Sequence, residues 1–257
     1  MQKFFLKSEQ INGDKARIIG NDINHIKNVL RCKIGEKIII CNEELGISYN
    51  SEITKIEENH IECILLDEIK ETTESNVKIS IYQGIPKFDK MELIIQKCTE
   101  IGAFEFIPVE MKRSIVKIND NKKISRWQTI SEVAAKQSKR DIIPIVKNPI
   151  KIKQLKEEID NFDLFLICYE EEKNNTLKNE LKKLKEKIEE NENNKKNKEE
   201  NNEYRIGVLI GPEGGIAPEE IEELKDTNSK IITLGKRILR TETAPINITS
   251  NIIYELE

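Results

Sequence analysis

No run in this 257-residue chain approaches the ~20 consecutive apolar residues of a membrane span, and at its start only residues 4–6 are apolar where a secretory leader needs about 7–15. A cytosolic protein with no membrane partner is therefore expected. Histidine is nearly absent, with only His25 and His60, so there is no H-E-x-x-H and no nucleophilic triad with flanking glycines. The five cysteines (Cys32, Cys41, Cys63, Cys98, Cys168) are odd in number, widely spaced and never in a C-x-x-C pair. That excludes a disulfide framework and a zinc site and implies reduced, mostly buried thiols; no metal is expected. What remains is 29.8 kDa of chain that is 37% hydrophobic and 34% charged, enough for a small domain plus a larger one.

The net charge of -4 is unevenly spread. Residues 1–70 carry ten basic and twelve acidic side chains, whereas residues 78–147 carry fourteen Lys/Arg against eight Asp/Glu. A polyanion feels only the local field, within a Debye length of about 8 Å, so an acidic chain can still hold a basic face. Charge alone leaves two readings, an ordinary solvated helix surface and a nucleic-acid contact.

In the first 70 residues, short Ile- and Val-rich runs such as 37–41 and 60–66 are divided by turn signals at Asn12-Gly13, Gly35, Asn42 and Leu45-Gly46, which predicts a small, mostly β domain. A short helix over 22–31, capped by Asp22, interrupts them, and the polar stretch 67–76 reads as a linker. Beyond it, apolar strands at 79–82, 104–109, 164–168, 207–210 and 231–234 alternate with helical patterns, which implies βαβ units and a mainly parallel sheet. The helix over 90–101 is bounded by Asp89 and Gly102, and another begins at Ser125 with Trp127, Ile130 and Ala134 inward. Its basic residues Arg126, Lys136, Lys139 and Arg140 either offset the helix dipole or face phosphate. Residues 171–203 are almost wholly Glu, Lys and Asn, and read as an amphipathic helix on Leu177, Leu181, Leu184 and Ile188 followed by a disordered loop near 191–203.

Chemistry is expected at residues 208–220, VLIGPEGGIAPEE, where a buried strand runs into three glycines and a helix opened by Pro218, Glu219 and Glu220. Such a loop lets the backbone approach a ligand at the carboxyl edge of a parallel sheet, yet its spacing is neither that of a Walker loop nor of a dinucleotide fingerprint. A purely structural turn is the alternative. Some twenty residues on, a second loop, KRILRTETAP at 236–245, follows another strand end at Leu234-Gly235 and precedes an apolar C-terminal helix on Ile246, Ile248, Ile252, Ile253 and Leu256. Two such loops can share one pocket.

GPEGG at 211–215 followed by LGKRILRTETA at 234–244 resembles the signature of the bacterial ribosomal RNA uridine-N3 methyltransferases (RsmE type) of the SPOUT superfamily. The likeness extends through residues 24–38, 85–102, 108–117 and 126–146 and covers most of the chain apart from 171–203. It implies an α/β fold: a SPOUT-type parallel sheet over 77–257 with a C-terminal trefoil knot, preceded by a small PUA-like β-barrel over 1–70. It also implies a homodimer, S-adenosylmethionine as cofactor, and methylation of N3 of a uridine in small-subunit ribosomal RNA near the decoding centre. Carried over position by position, the cofactor pocket comprises Leu209, Gly211, Pro212, Glu213, Gly214, Gly215, Leu234, Gly235, Ile238, Leu239, Arg240, Thr241, Glu242, Thr243 and Ala244, with residues 168–170 nearby. Pro245, Ile216 and Lys236 depart from the usual pattern without removing a polar group.

Arg240 is expected to stabilise the imide anion of the base, and Glu242 or Glu213 to take its proton, these being the charged groups of the two loops. Arg31, Lys33, Lys87, Lys97, Arg113, Arg126, Lys139 and Arg140 are the expected phosphate contacts. Two rivals stay open, a SPOUT methyltransferase with a different RNA target and a non-catalytic RNA-binding factor of ribosome assembly.

Overall fold

The Ile-rich runs of the first 70 residues become strands: β1 (Lys3–Leu6), β2 (Ile11–Asn12), β3 (Lys15–Ile18), β4 (Lys37–Asn42), β5 (Ile47–Ile56) and β6 (Ile61–Ile69). They form one six-stranded sheet in the order β1-β4-β5-β6-β3-β2, antiparallel except for the β1–β4 pair. Two register shifts against β6, at Asn50/Ser51 and Ile53/Lys55, bend β5, and Phe4, Leu6, Ile18, Ile38, Ile40, Ile53 and Ile61 fill the core that the sheet encloses. The expected helix over 22–31 is instead one short turn, α1 (Asn21–Asn24), followed by a π-helical stretch, His25–Val29. Gly20 takes the cap position, because the Asp22 carboxylate is drawn 3.2 Å from the Lys136 ammonium.

In this computed structural model, residues 1–118, 121–194 and 203–257 are described, and the chain divides into two units. Residues 1–74 and 135–143 form one, residues 75–134 and 144–257 the other. The sequence placed 135–143 with the larger domain; polar chemistry buried in the first unit explains the difference. There the Asp141 carboxylate accepts from Lys3 Nζ at 2.6 Å, Ser48 Oγ at 2.5 Å and Thr73 N at 2.8 Å.

The larger unit is built on a parallel sheet of β7 (Val77–Gly84), β8 (Ala103–Glu110), β9 (Ile145–Val146), β10 (Ile150–Lys151), β11 (Leu164–Cys168), β12 (Tyr204–Ile210) and β13 (Ser229–Ile232). Its order is β10-β8-β7-β12-β11-β13, with β9 also beside β8. Helices α2 (Lys90–Ile101), α3 (Asn121–Ser138), α4 (Ile152–Glu158), α5 (Leu177–Asn194), α6 (Pro218–Leu224) and α7 (Thr243–Leu256) complete it, α3 running on into the first unit. Alternate strand residues face opposite ways: Ile79, Ile81, Ile206, Val208 and Ile210 join α2, α5 and α7 in one core, while Tyr82 and Leu209 join α4 and Phe165 in the other. Helix α3 starts four residues before Ser125, whose hydroxyl donates back to the Asn121 carbonyl instead of capping. On α5, Leu177, Leu181 and Leu184 are buried as the helical spacing requires; of the loop expected after it, residues 195–202 lie outside the described residues.

Candidate functional site

β12 ends at Ile210 beside the end of β7, with Ile210 in register with Gln83. The glycine loop leaves this edge and is held by its surroundings. Gly215 stands at φ +70°, a backbone that strains any other residue, and a Cβ there would force the Glu170 carboxylate aside. A Cβ on Gly84 would meet Pro212 Cδ at 2.6 Å, so the two strand ends approach as closely as backbone allows. Arg113 Nη1 donates to the Gly214 carbonyl at 2.8 Å. Past the loop, Pro218 opens α6, and the buried Glu220 carboxylate accepts from Ala217 N at 3.0 Å and Lys112 N at 2.8 Å.

The second loop closes on the first. Thr241 Oγ1 donates to the Gly211 carbonyl at 2.7 Å, and Gln83 Nε2 donates to Thr241 Oγ1 at 3.0 Å and to the Gly84 carbonyl at 2.9 Å. All four residues are buried, where each such bond is stronger than in water. Lys90, at the start of α2, bridges the two loops: its Nζ is 3.0 Å from Glu213 Oε1 and 3.3 Å from Glu242 Oε2. Arg240 Nη1 lies 4.0 Å from Glu242 Oε1, with its side chain 84% exposed. Burial pushes the Glu213 carboxyl up, but the hydrogen bonds from its own N–H, the Lys90 ammonium and the Lys87 N–H outweigh this and hold it below the ordinary glutamate value. Glu213 in turn keeps the Lys90 ammonium above the usual lysine value.

Of the expected pocket residues, Gly211 and Thr241 meet directly, and Glu213 and Glu242 meet through Lys90. Leu209 points its side chain into the core, and Leu234, Leu239 and Ala244 pack against the other core. Gly235 adopts φ +115° with open space where a Cβ would stand, and Ile238 is 87% exposed. The Arg240 carbonyl accepts from Thr243 N and Ala244 N, which starts α7. Pattern reading missed Gln83 and Lys90. Gln83 was detectable as a lone amide at the carboxyl end of an apolar strand; Lys90 sits in an ordinary charged helix start and carried no signal. A separate depression of about 360 Å³ between α2 and α3 is lined by Glu92, Leu93, Gln96, Thr129, Ile130, Val133 and Ala134, none of them from the two loops.

Of the basic residues, Arg31, Lys33 and Lys139 are exposed in the first unit. In the second, Arg126 pairs with Glu92, Lys97 with Glu100, Arg113 is tied to the glycine loop, and Lys87 N donates to Glu213 Oε1 at 3.0 Å. The reading of Arg140 as a phosphate contact is corrected. Its residue is 5% exposed and its guanidinium pairs with the Glu74 carboxylate, so it is part of the interior of the first unit. Among the described residues, no group of three His, Cys, Asp or Glu side chains is placed to hold a metal, and no helix is long and apolar enough to cross a membrane.

Residues 73–253 match a family model described as an RNA methyltransferase domain, and residues 18–66 match one described as an RNA methyltransferase PUA domain. The chain is 33% identical to a Bacillus subtilis protein named ribosomal RNA small subunit methyltransferase E, over 100% of this chain and 98% of that one. A Mesomycoplasma hyopneumoniae protein of the same name is 33% identical over 99% of this chain and all of its own. Among solved structures, a ribosomal RNA small subunit methyltransferase E from Neisseria gonorrhoeae bound to S-adenosyl methionine is 26% identical with a TM-score of 0.79, covering 98% of this chain and 96% of that one.

Proposed function

The chain belongs to the ribosomal RNA small subunit methyltransferase E family, and from that premise we propose that it methylates N3 of a uridine in small-subunit ribosomal RNA, near the decoding centre, using S-adenosylmethionine. The observation that carries this reading is the closure of the arginine-threonine loop on the glycine loop, Thr241 Oγ1 to the Gly211 carbonyl, at the carboxyl edge of the SPOUT-type sheet. The residues there suit the cofactor. Among the described residues, the buried Gln83 Oε1 has no hydrogen-bond partner and the buried Glu242 Oε2 has only the Lys90 ammonium at 3.3 Å, and a ligand bearing N–H donors would satisfy them. Gly211, Gly214, Gly215, Gly235 and the backbone of 238–244 would hold it.

The bound cofactor supplies an electrophilic methyl group on sulfur, so the protein's work is alignment and proton handling. Uridine N3 is a poor nucleophile until its proton leaves. Arg240, on an exposed turn, would stabilise the anion that forms on the base oxygens, and Glu242 or Glu213 would accept the proton. Single-turnover methylation by Arg240→Ala, measured beside cofactor affinity, tests this: a loss of roughly 10²-fold or more in rate at unchanged affinity is expected, and an unchanged rate removes Arg240 from the chemistry.

RNA contact through Arg31, Lys33, Lys87, Lys97, Arg113, Arg126 and Lys139, a homodimer, action on the small subunit in the cytoplasm and a trefoil-knotted chain end complete the reading. The knot is supported by the path after β13, which doubles back to the glycine loop at Thr241 before α7 packs against α2.

A further inference from the structure

Building on the proposed methyl transfer, we propose that Lys90 is a positioning residue that ties the two ligand loops through their carboxylates and leaves Glu242 as the acceptor of the uridine N3 proton. The geometry distinguishes the two glutamates. Glu213 has donors on both oxygens: Lys87 N reaches Oε1 at 3.0 Å and Oε2 at 3.3 Å, and Lys90 Nζ reaches Oε1 at 3.0 Å. Glu242 has a side chain only 14% exposed, and its Oε2, although 3.3 Å from Lys90 Nζ, has no partner in hydrogen-bond geometry. That oxygen keeps a lone pair free inside the site.

An isolated surface ion pair stabilises a fold by about 0–1 kcal/mol, so stability gives little reason for one lysine to serve two carboxylates from distant parts of the chain. Function gives a better one. Two like charges brought together favour protonation of one of them, and a shared cation opposes this. The cations paired with these carboxylates among the described residues are Lys90 from α2 and Arg240 from the turn before α7. Lys90 thereby holds the Glu242 carboxylate of the second loop beside the Glu213 carboxylate of the first. The N3 proton passes to Glu242, which becomes a neutral acid, and the electron pair of the broken N–H bond stays on N3 to attack the methyl carbon; the sulfur keeps the electron pair of the bond that breaks.

The experiment follows single-turnover methylation of small ribosomal subunits for the wild-type protein, Lys90→Met and Lys90→Arg, with thermal unfolding of each to confirm folding. Lys90→Met should react at least roughly tenfold more slowly at neutral pH while cofactor affinity, measured beside it, changes far less, and Lys90→Arg should recover most of the rate. An unaltered rate in Lys90→Met overturns the inference, as does a loss of rate that Lys90→Arg does not recover or that a matching loss of cofactor affinity accounts for. A wild-type protein that transfers no methyl group to the subunits refutes the function itself, a separate outcome from either.

Discussion

Asp141 lies at the centre of a buried polar cluster, and its titration sets an acid limit on the first unit. Burial raises its pKa, but the Lys3, Ser48 and Thr73 hydrogen bonds prevail and bring it from 3.8 to about 2. A depressed carboxyl pKa contributes stability that is present above pH 4 and is lost as pH falls through the folded value. Between pH 4 and 2 the wild type should therefore lose about 2 kcal/mol on this account, and Asp141→Asn should start less stable and show a flatter decline in urea unfolding over that window. Arg140 and Lys33 separate structure from recognition. Arg140→Ala should lower the melting temperature without changing how RNA affinity depends on salt, whereas Lys33→Ala should leave melting unchanged and reduce the logarithmic salt slope by about 1. Phe88 is a strained residue, 82% exposed at φ +54°. Phe88→Gly should raise stability by up to about 1 kcal/mol by relieving the left-handed backbone; a clear loss in thermal unfolding would show that the ring has a packing role.

Elements were legible wherever local chemistry decided them. Helix α2 runs between Asp89 and Gly102 as its apolar stripe requires, and the strands of the parallel sheet emerge as apolar runs. Helix α5 was legible from four apolar positions, three of which are buried. Leu181→Ala there should cost about 2–4 kcal/mol in chemical unfolding, since a cavity would open beneath a fully packed helix. What stayed hidden was non-local. Nothing within 135–143 announces that Asp141 will meet Lys3 and Thr73, or that Arg140 will meet Glu74, because the partners lie more than sixty residues away in the chain. The two candidate loops were legible by composition and the bridge between them was not, since Lys90 meets Glu213 and Glu242 only after the sheet has formed. In the glycine loop, Gly215→Ala must be accommodated at φ +70° against Glu170. S-adenosylmethionine affinity by calorimetry should fall by roughly tenfold or more, as about 1–2 kcal/mol of strain implies.

For the molecule as a whole, an RNA-methyltransferase family membership and two loops hydrogen-bonded to each other at one sheet edge support the proposed activity. The proposed RNA contact draws on the basic excess over 78–147, apart from the buried Arg140, and on the exposed Arg31 and Lys33 of an overall acidic chain. A methyl acceptor on a base rather than on a ribose is the chemical commitment here, because an exposed arginine beside the Glu213 and Glu242 carboxylates suits a proton leaving an imide. The decisive measurement is transfer of labelled methyl groups from S-adenosylmethionine to small ribosomal subunits isolated from cells that lack this activity, followed by mapping of the labelled nucleotide. The account predicts stoichiometric label at N3 of one uridine near the decoding centre; label on a ribose hydroxyl, label on transfer RNA only, or none at all would contradict it.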